Sequence, residues 1–341
     1  MEGILNNSRR QAVYQVGELG EISAARRAGV DLARQLGFDE TRSGKLALII
    51  TEAATNIVKH AGRGEIIVRT ISHESAYGVE VLAIDSGPGI TNLTESMRDG
   101  TSTTGTYGVG LGAINRLADA FDLHSVSGRG SVLWAQLWAR ADMQLSTQWD
   151  IGAVCLPIAS EEACGDDWAA ISKPNSITIL VADGLGHGPD AARASQAAVD
   201  VLLQKADVCP AVVIREAHSA LAGTRGAAVA VVQIEGSLEQ LRFSGIGNVE
   251  ACIIDGDVSQ HMMAHNGIVG SNLRKVQEFT VPWMTDSMLV MHSDGLGTRW
   301  NLDSYPGLCA CHPAVIAATL YRDFVRRRDD VTVLVIRRSR M

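Results

Sequence analysis

Three apolar runs in this chain meet aspartates at their ends, and they constrain the fold more than any other feature. Ile177-Thr178-Ile179-Leu180-Val181-Ala182 reads as a buried strand that stops at Asp183-Gly184, ahead of Leu185-Gly186-His187-Gly188. Leu289-Val290-Met291-His292-Ser293 runs into Asp294-Gly295, and Asp329-Asp330 stands before the strand Val331-Thr332-Val333-Leu334-Val335-Ile336. One Asp-Gly pair is ordinary turn chemistry. Several carboxylates at strand ends, beside glycines that let the backbone bend, suit a shared site for hard cations.

The 341 residues are enough for two domains, and a composition 46% apolar and 20% charged supplies their cores. The net charge of −8 argues against a nucleic-acid partner and weakly against an anionic membrane surface. No apolar run approaches the length of a membrane span. Met1-Glu2-Gly3-Ile4-Leu5 lacks the basic-then-apolar form of a signal peptide, so a cytoplasmic location is expected. The six cysteines are scattered, mostly inside apolar runs, where buried thiols are expected. Cys309-Ala310-Cys311-His312 has no second Cys or His pair at zinc-site spacing.

In the first part of the chain the spacing predicts helices over about 21–37 and 41–60. Glu52 and Asn56 are four apart on the second, so they share one side of it, which by itself is equally a solvated polar face. Strands over 65–71 and 78–84 follow, the latter ending in Asp85-Ser86-Gly87-Pro88-Gly89. A polar stretch over 91–106 without clear period reads either as a functional lid or as disordered chain. It leads to Tyr107-Gly108-Val109-Gly110-Leu111-Gly112 and a helix over 113–120, a glycine-rich entry that offers N–H groups to phosphate. Strands over 121–126 and 131–138, joined by Ser127-Gly128-Arg129-Gly130, close this part.

Taken in order, Glu52-Ala53-Ala54-Thr55-Asn56, Asp85-Ser86-Gly87-Pro88-Gly89, Gly108-Val109-Gly110-Leu111-Gly112 and Gly130-Ser131 resemble the ATP-binding domain of histidine kinases and gyrase-like ATPases. The likeness is greatest to the anti-sigma-factor-type serine kinases of bacterial partner switching, and it covers about residues 10–140. The resemblance implies a two-layer α/β sandwich that binds ATP with Mg²⁺. Asn56 would ligate the Mg²⁺, and Asp85 would accept from the adenine amino group. Gly87 and Gly89 would let the base approach the backbone, and Gly108, Gly110 and Gly112 would wrap the triphosphate. Glu52 would be the general base of a kinase. A carboxylate is acceptor-only, which suits an exocyclic amine.

Between 139 and 149 the apolar pattern breaks, which places domains at 1–140 and 150–341 with a linker at 141–149. The second domain reads as strands over 151–158, 167–171, 177–182, 227–232, 240–244, 249–254, 258–263, 276–281, 287–292 and 331–336, with helices over 189–205, 210–221 and 313–328. Gly165-Asp166, Asp183-Gly184-Leu185-Gly186-His187-Gly188, Gly245-Ile246-Gly247-Asn248, Asn266-Gly267-Ile268-Val269-Gly270, Ser293-Asp294-Gly295 and Asp329-Asp330-Val331-Thr332 resemble the SpoIIE-type branch of the type 2C metal-dependent protein phosphatases.

That resemblance implies an α+β fold with two antiparallel sheets between helices and two Mn²⁺ or Mg²⁺ ions at one end. Asp183 would bridge the ions, the Gly184 carbonyl would take one, and Asp166, Asp294 and Asp329 would complete the shells. The family's double glycine before the first aspartate is here Cys164-Gly165-Asp166-Asp167, which leaves Asp166 and Asp167 both open as ligand. The phosphate-binding arginine of the larger phosphatases has no counterpart by motif. His187 and His292 adjoin the ligands, and either could protonate a leaving oxygen. Arg326, Arg327 and Arg328 read as the end of the last helix, complementing its dipole, with substrate docking as the alternative.

The implied function is a serine/threonine phosphatase acting on a phosphorylated anti-sigma-antagonist-type protein, with an anti-sigma or sensor protein as a further partner. The kinase-like domain would act as its nucleotide switch, as a kinase opposing it, or as a docking module without chemistry.

Overall fold

The computed structural model describes residues 3–6, 11–73, 76–93, 110–140, 148–205 and 208–340. They form two compact units: Arg9–Leu145 with Asn301–Arg322, and Met1–Ser8 with Ser146–Trp300 and Asp323–Met341. We call these the N-terminal and C-terminal units. They differ from the expected division at 141–149 in two places. The chain start joins the C-terminal unit, because β1 (Gly3–Asn6) pairs along β8 (Asp166–Lys173) as an edge strand. Residues 301–322 join the N-terminal unit, where they cover one face of its sheet.

The N-terminal unit is one antiparallel sheet of five strands in the order β2-β3-β4-β6-β5. These are β2 (Ala12–Val16), β3 (Gly64–His73), β4 (Ala76–Asp85), β5 (Ala120–Val126) and β6 (Gly130–Trp138). Helix α1 (Leu19–Gln35) begins where Glu21 turns back to accept from the Glu18 amide at 3.0 Å. Helix α2 (Glu40–Asn56) begins where Asp39 accepts from the Arg42 amide. Their apolar stripes, including Ile22, Leu46, Ile49, Ile50 and Ala53, pack with Ile66, Val68, Val81 and Leu133 from one face of the sheet.

Strand alternation puts Ile67, Leu82 and Trp134 on the opposite face, and they too are buried. That face is covered from within the unit by residues 301–322. His312 stacks on Trp134 with ring centroids 3.7 Å apart, and the Tyr321 hydroxyl donates to Glu65 at 2.9 Å. Glu80, 1% exposed, is satisfied there by Arg69 at 2.6 Å and by the Trp134 indole N–H at 2.9 Å. An apolar sheet face needs such a cover.

The C-terminal unit has two antiparallel sheets. One has the order β1-β8-β9-β10-β11-β14, with β9 (Ser176–Gly184), β10 (Ala227–Glu235), β11 (Gln240–Ile246) and β14 (Phe279–Pro282). The other has the order β13-β12-β15-β16-β7, with β7 (Trp149–Leu156), β12 (Glu250–Asp255), β13 (Val258–His261), β15 (Met288–His292) and β16 (Val331–Arg338). Trp168, Val181, Phe243, Trp283, Met291 and Leu334 fill the space between them. Burying each large apolar side chain is worth roughly 1.5–3 kcal/mol. Two helices that each open on proline, Pro189–Gln204 and Pro210–Ala220, cover the outer face of the first sheet through Ala194, Ala198, Leu202 and Val213.

Several expected boundaries shift. The helix after the glycine-rich loop, α3, spans Leu111–Leu117, and residue 120 already belongs to β5. The second helix is α-helical only to Asn56 and continues to Ala61 as a π turn, ending at Gly62 with φ 79°. The last helix spans Pro313–Phe324, so Arg326, Arg327 and Arg328 lie beyond it and do not cap its dipole. Strands β1 and β2 span only four and five residues, too few to carry a readable pattern in the sequence.

Candidate functional site

Strand register brings the acidic residues of the C-terminal unit together. Asp166 and Asp183 are direct cross-strand partners on β8 and β9, so both side chains leave the same face. That face is the inter-sheet one, since Trp168 and Val181 share their parity and lie in the core between the sheets. Asp167 has the other parity, that of Ala169 and Ile171, which pack toward the helices, and its carboxylate accepts from the Trp168 amide at 2.8 Å. Of the two neighbours, Asp166 is the one beside Asp183.

Gly184 ends β9 where any side chain would strike the backbone of Ala191, its Cβ falling 2.1 Å from that carbonyl oxygen. The glycine thereby seats the first turn of the following helix against the Asp183 turn. From the second sheet, Ser293 follows β15 and donates its hydroxyl to Asp166 at 2.6 Å. The same hydroxyl oxygen accepts from the Thr332 amide at 2.9 Å. Asp294 comes next, and the Asn248 amide nitrogen donates to its carboxylate at 2.6 Å.

Asp329 and Asp330 differ in role. The Asp330 carboxylate accepts from the amides of Ile158 and Gly165, each at 2.7 Å, and so clamps the loop that delivers Asp166. Asp329 is half-buried, and its carboxylate accepts from the Asp330 amide at 2.9 Å. Asn248, Ser293, Thr332 and Asp330 are thus the structural partners of the acidic set. All lie inside motifs visible in the sequence, but their hydrogen bonds are tertiary.

Burial raises Asp183 to about 9, and the charges of Asp166, Asp294, Asp329 and Asp330 push the same way. Burial likewise raises Asp166 to about 7, against hydrogen bonds from Ser293 and Thr332. Carboxylates crowded like this do not all ionise without a counter-charge. The donor set is all oxygen, which fits Mg²⁺ or Mn²⁺ and not zinc. Among the described residues no three His, Cys, Asp or Glu side chains are grouped so as to hold a metal ion by themselves.

The two histidines separate clearly. His292 is 1% exposed, and its Nε2 accepts from the Trp300 indole at 3.2 Å while Nδ1 meets the Ser293 carbonyl at 2.9 Å. Burial lowers its pKa, so it is neutral with both ring nitrogens engaged. His187 is exposed on the Asp183 turn, with Nδ1 held by Glu161 at 2.8 Å and Nε2 turned away from that contact.

In the N-terminal unit, Glu52 and Asn56 are both half-buried near the end of α2. Partial burial raises Glu52, while the charge of Lys59 lowers it. Asp85 ends β4 and accepts from the Gly87 amide at 2.8 Å, and burial raises its pKa. Gly87 and Gly89 answer first to their own chain: a Cβ would fall 2.5 Å from that of Ala61 and 2.3 Å from the Val126 carbonyl oxygen. Gly110 precedes α3 with open space where a Cβ would go, and Gly112 is buried inside α3. Gly108 lies outside the described residues.

Comparison with known proteins agrees with both halves. The histidine kinase-like ATPase domain family matches residues 17–137, and the Stage II sporulation protein E (SpoIIE) family matches residues 173–339. Serine/threonine-protein kinase RsbT of Bacillus subtilis (strain 168) is 38% identical over 120 residues, which are 35% of this chain and 90% of that protein. Among solved structures, a chain from a study of the bacterial stressosome superposes with a TM-score of 0.52 at 25% identity, covering 56% of this chain and all of that one. RsbX in complex with magnesium gives a TM-score of 0.51 at 22% identity, over 57% of this chain and 98% of that one, and shares the fold.

Proposed function

Since the chain belongs through its N-terminal part to the histidine kinase-like ATPase family of RsbT, and carries a SpoIIE-type phosphatase domain after it, we propose that it is a nucleotide-regulated protein phosphatase of bacterial partner switching. Its substrate would be a phosphoserine or phosphothreonine on an anti-sigma-antagonist-type protein. The supporting observation is the cross-strand pair Asp166–Asp183, with Asp294 and Asp329 near enough for their charge to bear on Asp183.

Asp183, the Gly184 carbonyl, Asp166, Asp294 and Asp329 would hold two Mn²⁺ or Mg²⁺ ions. Bound there, the ions would supply a hydroxide nucleophile near neutral pH and charge relief on the phosphoryl oxygens. Hydrolysis forms a bond from the water oxygen to phosphorus and breaks the bond from phosphorus to the side-chain oxygen. His187 gives that leaving oxygen a proton from Nε2, Glu161 holding its other nitrogen, and regains one from the attacking water. The products are inorganic phosphate and the free hydroxyl. Hydrolysis of p-nitrophenyl phosphate with Mn²⁺ tests the assignment: Asp183→Ala loses it while keeping its melting temperature, and an unchanged rate overturns it.

In the N-terminal unit, Asn56 would hold Mg²⁺ on ATP, Asp85 the adenine amine, and the glycine-rich turn the phosphates. Glu52, one helical turn from Asn56, favours kinase chemistry as a second reading. Transfer of label from γ-labelled ATP to a candidate antagonist, lost in Glu52→Gln, supports a bifunctional enzyme. Antagonist binding without transfer supports docking alone.

A further inference from the structure

The three arginines beyond the last helix are left unused by this chemistry, and one of them has a defined place. The Gly297 amide donates to the Phe324 carbonyl and the Arg326 amide to the Gly295 carbonyl, both at 2.8 Å, with Leu296 and Val325 bridged between them. Arg326 is therefore pinned by main chain to the turn that carries Asp294. Arg326 lines a cleft of about 540 Å³ whose wall also includes Asn248, Glu250, His261, His292 and Asp294. Asp294 thus belongs both to the acidic set and to the cleft.

Of the acidic groups on this wall, Asp294 accepts from Asn248, while Glu250 lies 3.7 Å from the Nε2 of the neutral His292. Arg326 is exposed, and among the described residues no carboxylate pairs with its side chain. A guanidinium presents a planar fork of donors that matches phosphoryl oxygens, and the cleft is within the size range of small-ligand pockets.

We propose that this cleft receives the phosphorylated side chain of the substrate, Arg326 holding non-bridging phosphoryl oxygens beside Asp294. This supplies the phosphate-binding arginine that no motif in the chain provides, from a different position in the fold, and it rests on the phosphatase assignment above.

The test uses the full-length protein with Mn²⁺, comparing wild type with Arg326→Ala, Arg326→Lys and, as a neighbour outside the cleft, Arg328→Ala. Two readouts are taken: KM and kcat on a phosphoserine peptide, and the binding of inorganic phosphate by calorimetry. Loss of a charge-assisted hydrogen bond predicts that Arg326→Ala raises KM and weakens phosphate binding by about tenfold or more. Arg326→Lys recovers part of both, and Arg328→Ala changes neither. Wild-type values of both quantities in Arg326→Ala overturn the proposal, as does an equal loss in Arg328→Ala. Should the wild type hydrolyse nothing, the phosphatase assignment fails separately, and the phosphate titration still decides the cleft. There, an Arg326-dependent affinity supports it, and none overturns it. Should Arg326→Ala lower the melting temperature, Arg326→Gln is measured in its place.

Discussion

The hydroxyl of Ser293 donates to the carboxylate of Asp166 at 2.6 Å, joining residues 127 apart in sequence and belonging to different sheets. The contact both orients Asp166 and ties the two sheets together at the end where the acidic residues gather. Ser293→Ala removes the donor to Asp166 and leaves the buried Thr332 amide without its acceptor. The expected cost is about 1–3 kcal/mol of stability, read in a denaturant melt. Mn²⁺ affinity should fall by about 10- to 100-fold, the usual effect of losing a residue that orients a metal ligand. Unchanged Mn²⁺ affinity would remove Ser293 from that role.

The adjacent aspartates should divide cleanly between stability and metal binding. Asp330 offers one oxygen to Ile158 and the other to Gly165. In Asp330→Asn one of those amides faces an NH₂ group, so roughly 1–3 kcal/mol of stability should be lost. Asp329→Asn removes a proposed ligand and should abolish Mn²⁺-dependent hydrolysis while the thermal transition stays near wild type. The reverse pattern would exchange the two assignments.

Raised carboxylate pKa values make the metal-free protein pH-sensitive in a definite direction. Asp166 and Asp183 hold their protons to about 7 and about 9 in the folded state, against 3.8 in the reference state. The folded chain therefore binds more protons than the unfolded one above about pH 4, and its stability falls as pH rises. With EDTA present, the melting temperature should decline from about pH 5 to pH 9. Saturating Mn²⁺ should flatten or reverse that decline, because the cation replaces the protons. A melting temperature that climbs over this range without metal would contradict the acidic clustering.

The proton role of His187 predicts a dependence on the leaving group. p-Nitrophenolate departs without protonation, whereas a serine alkoxide does not. His187→Ala should lose far more activity on a phosphoserine peptide than on p-nitrophenyl phosphate. Glu161→Gln should show a weaker form of the same selectivity, since Glu161 acts only through the imidazole. Equal losses on both substrates would assign His187 to structure.

Much of this architecture is written locally. Apolar alternation and runs disclose most strands of both units, and proline at position 189 and glycines at positions 37 and 62 mark helix ends. The glycines at positions 87 and 184 are legible as special, and the structure adds that their own neighbours, Ala61 and Ala191, exclude a side chain. Strands of four or five residues such as β1 and β2 escape notice, because they form where a sheet edge stands ready for them.

Sequence by itself determined the two families of fold, the order of the elements and which carboxylates end their strands, because these follow from periodicity and from residues that a strand end or turn demands. Tertiary structure alone decided that Asp166 and not Asp167 faces Asp183, that His292 is neutral and enclosed while His187 is open, and that Arg326 borders a cleft with Asp294. It also decided that residues 301–322 complete the N-terminal unit. Each outcome depends on which face of a strand is covered and by what, and that is settled by partners far along the chain, whose identity no local pattern encodes.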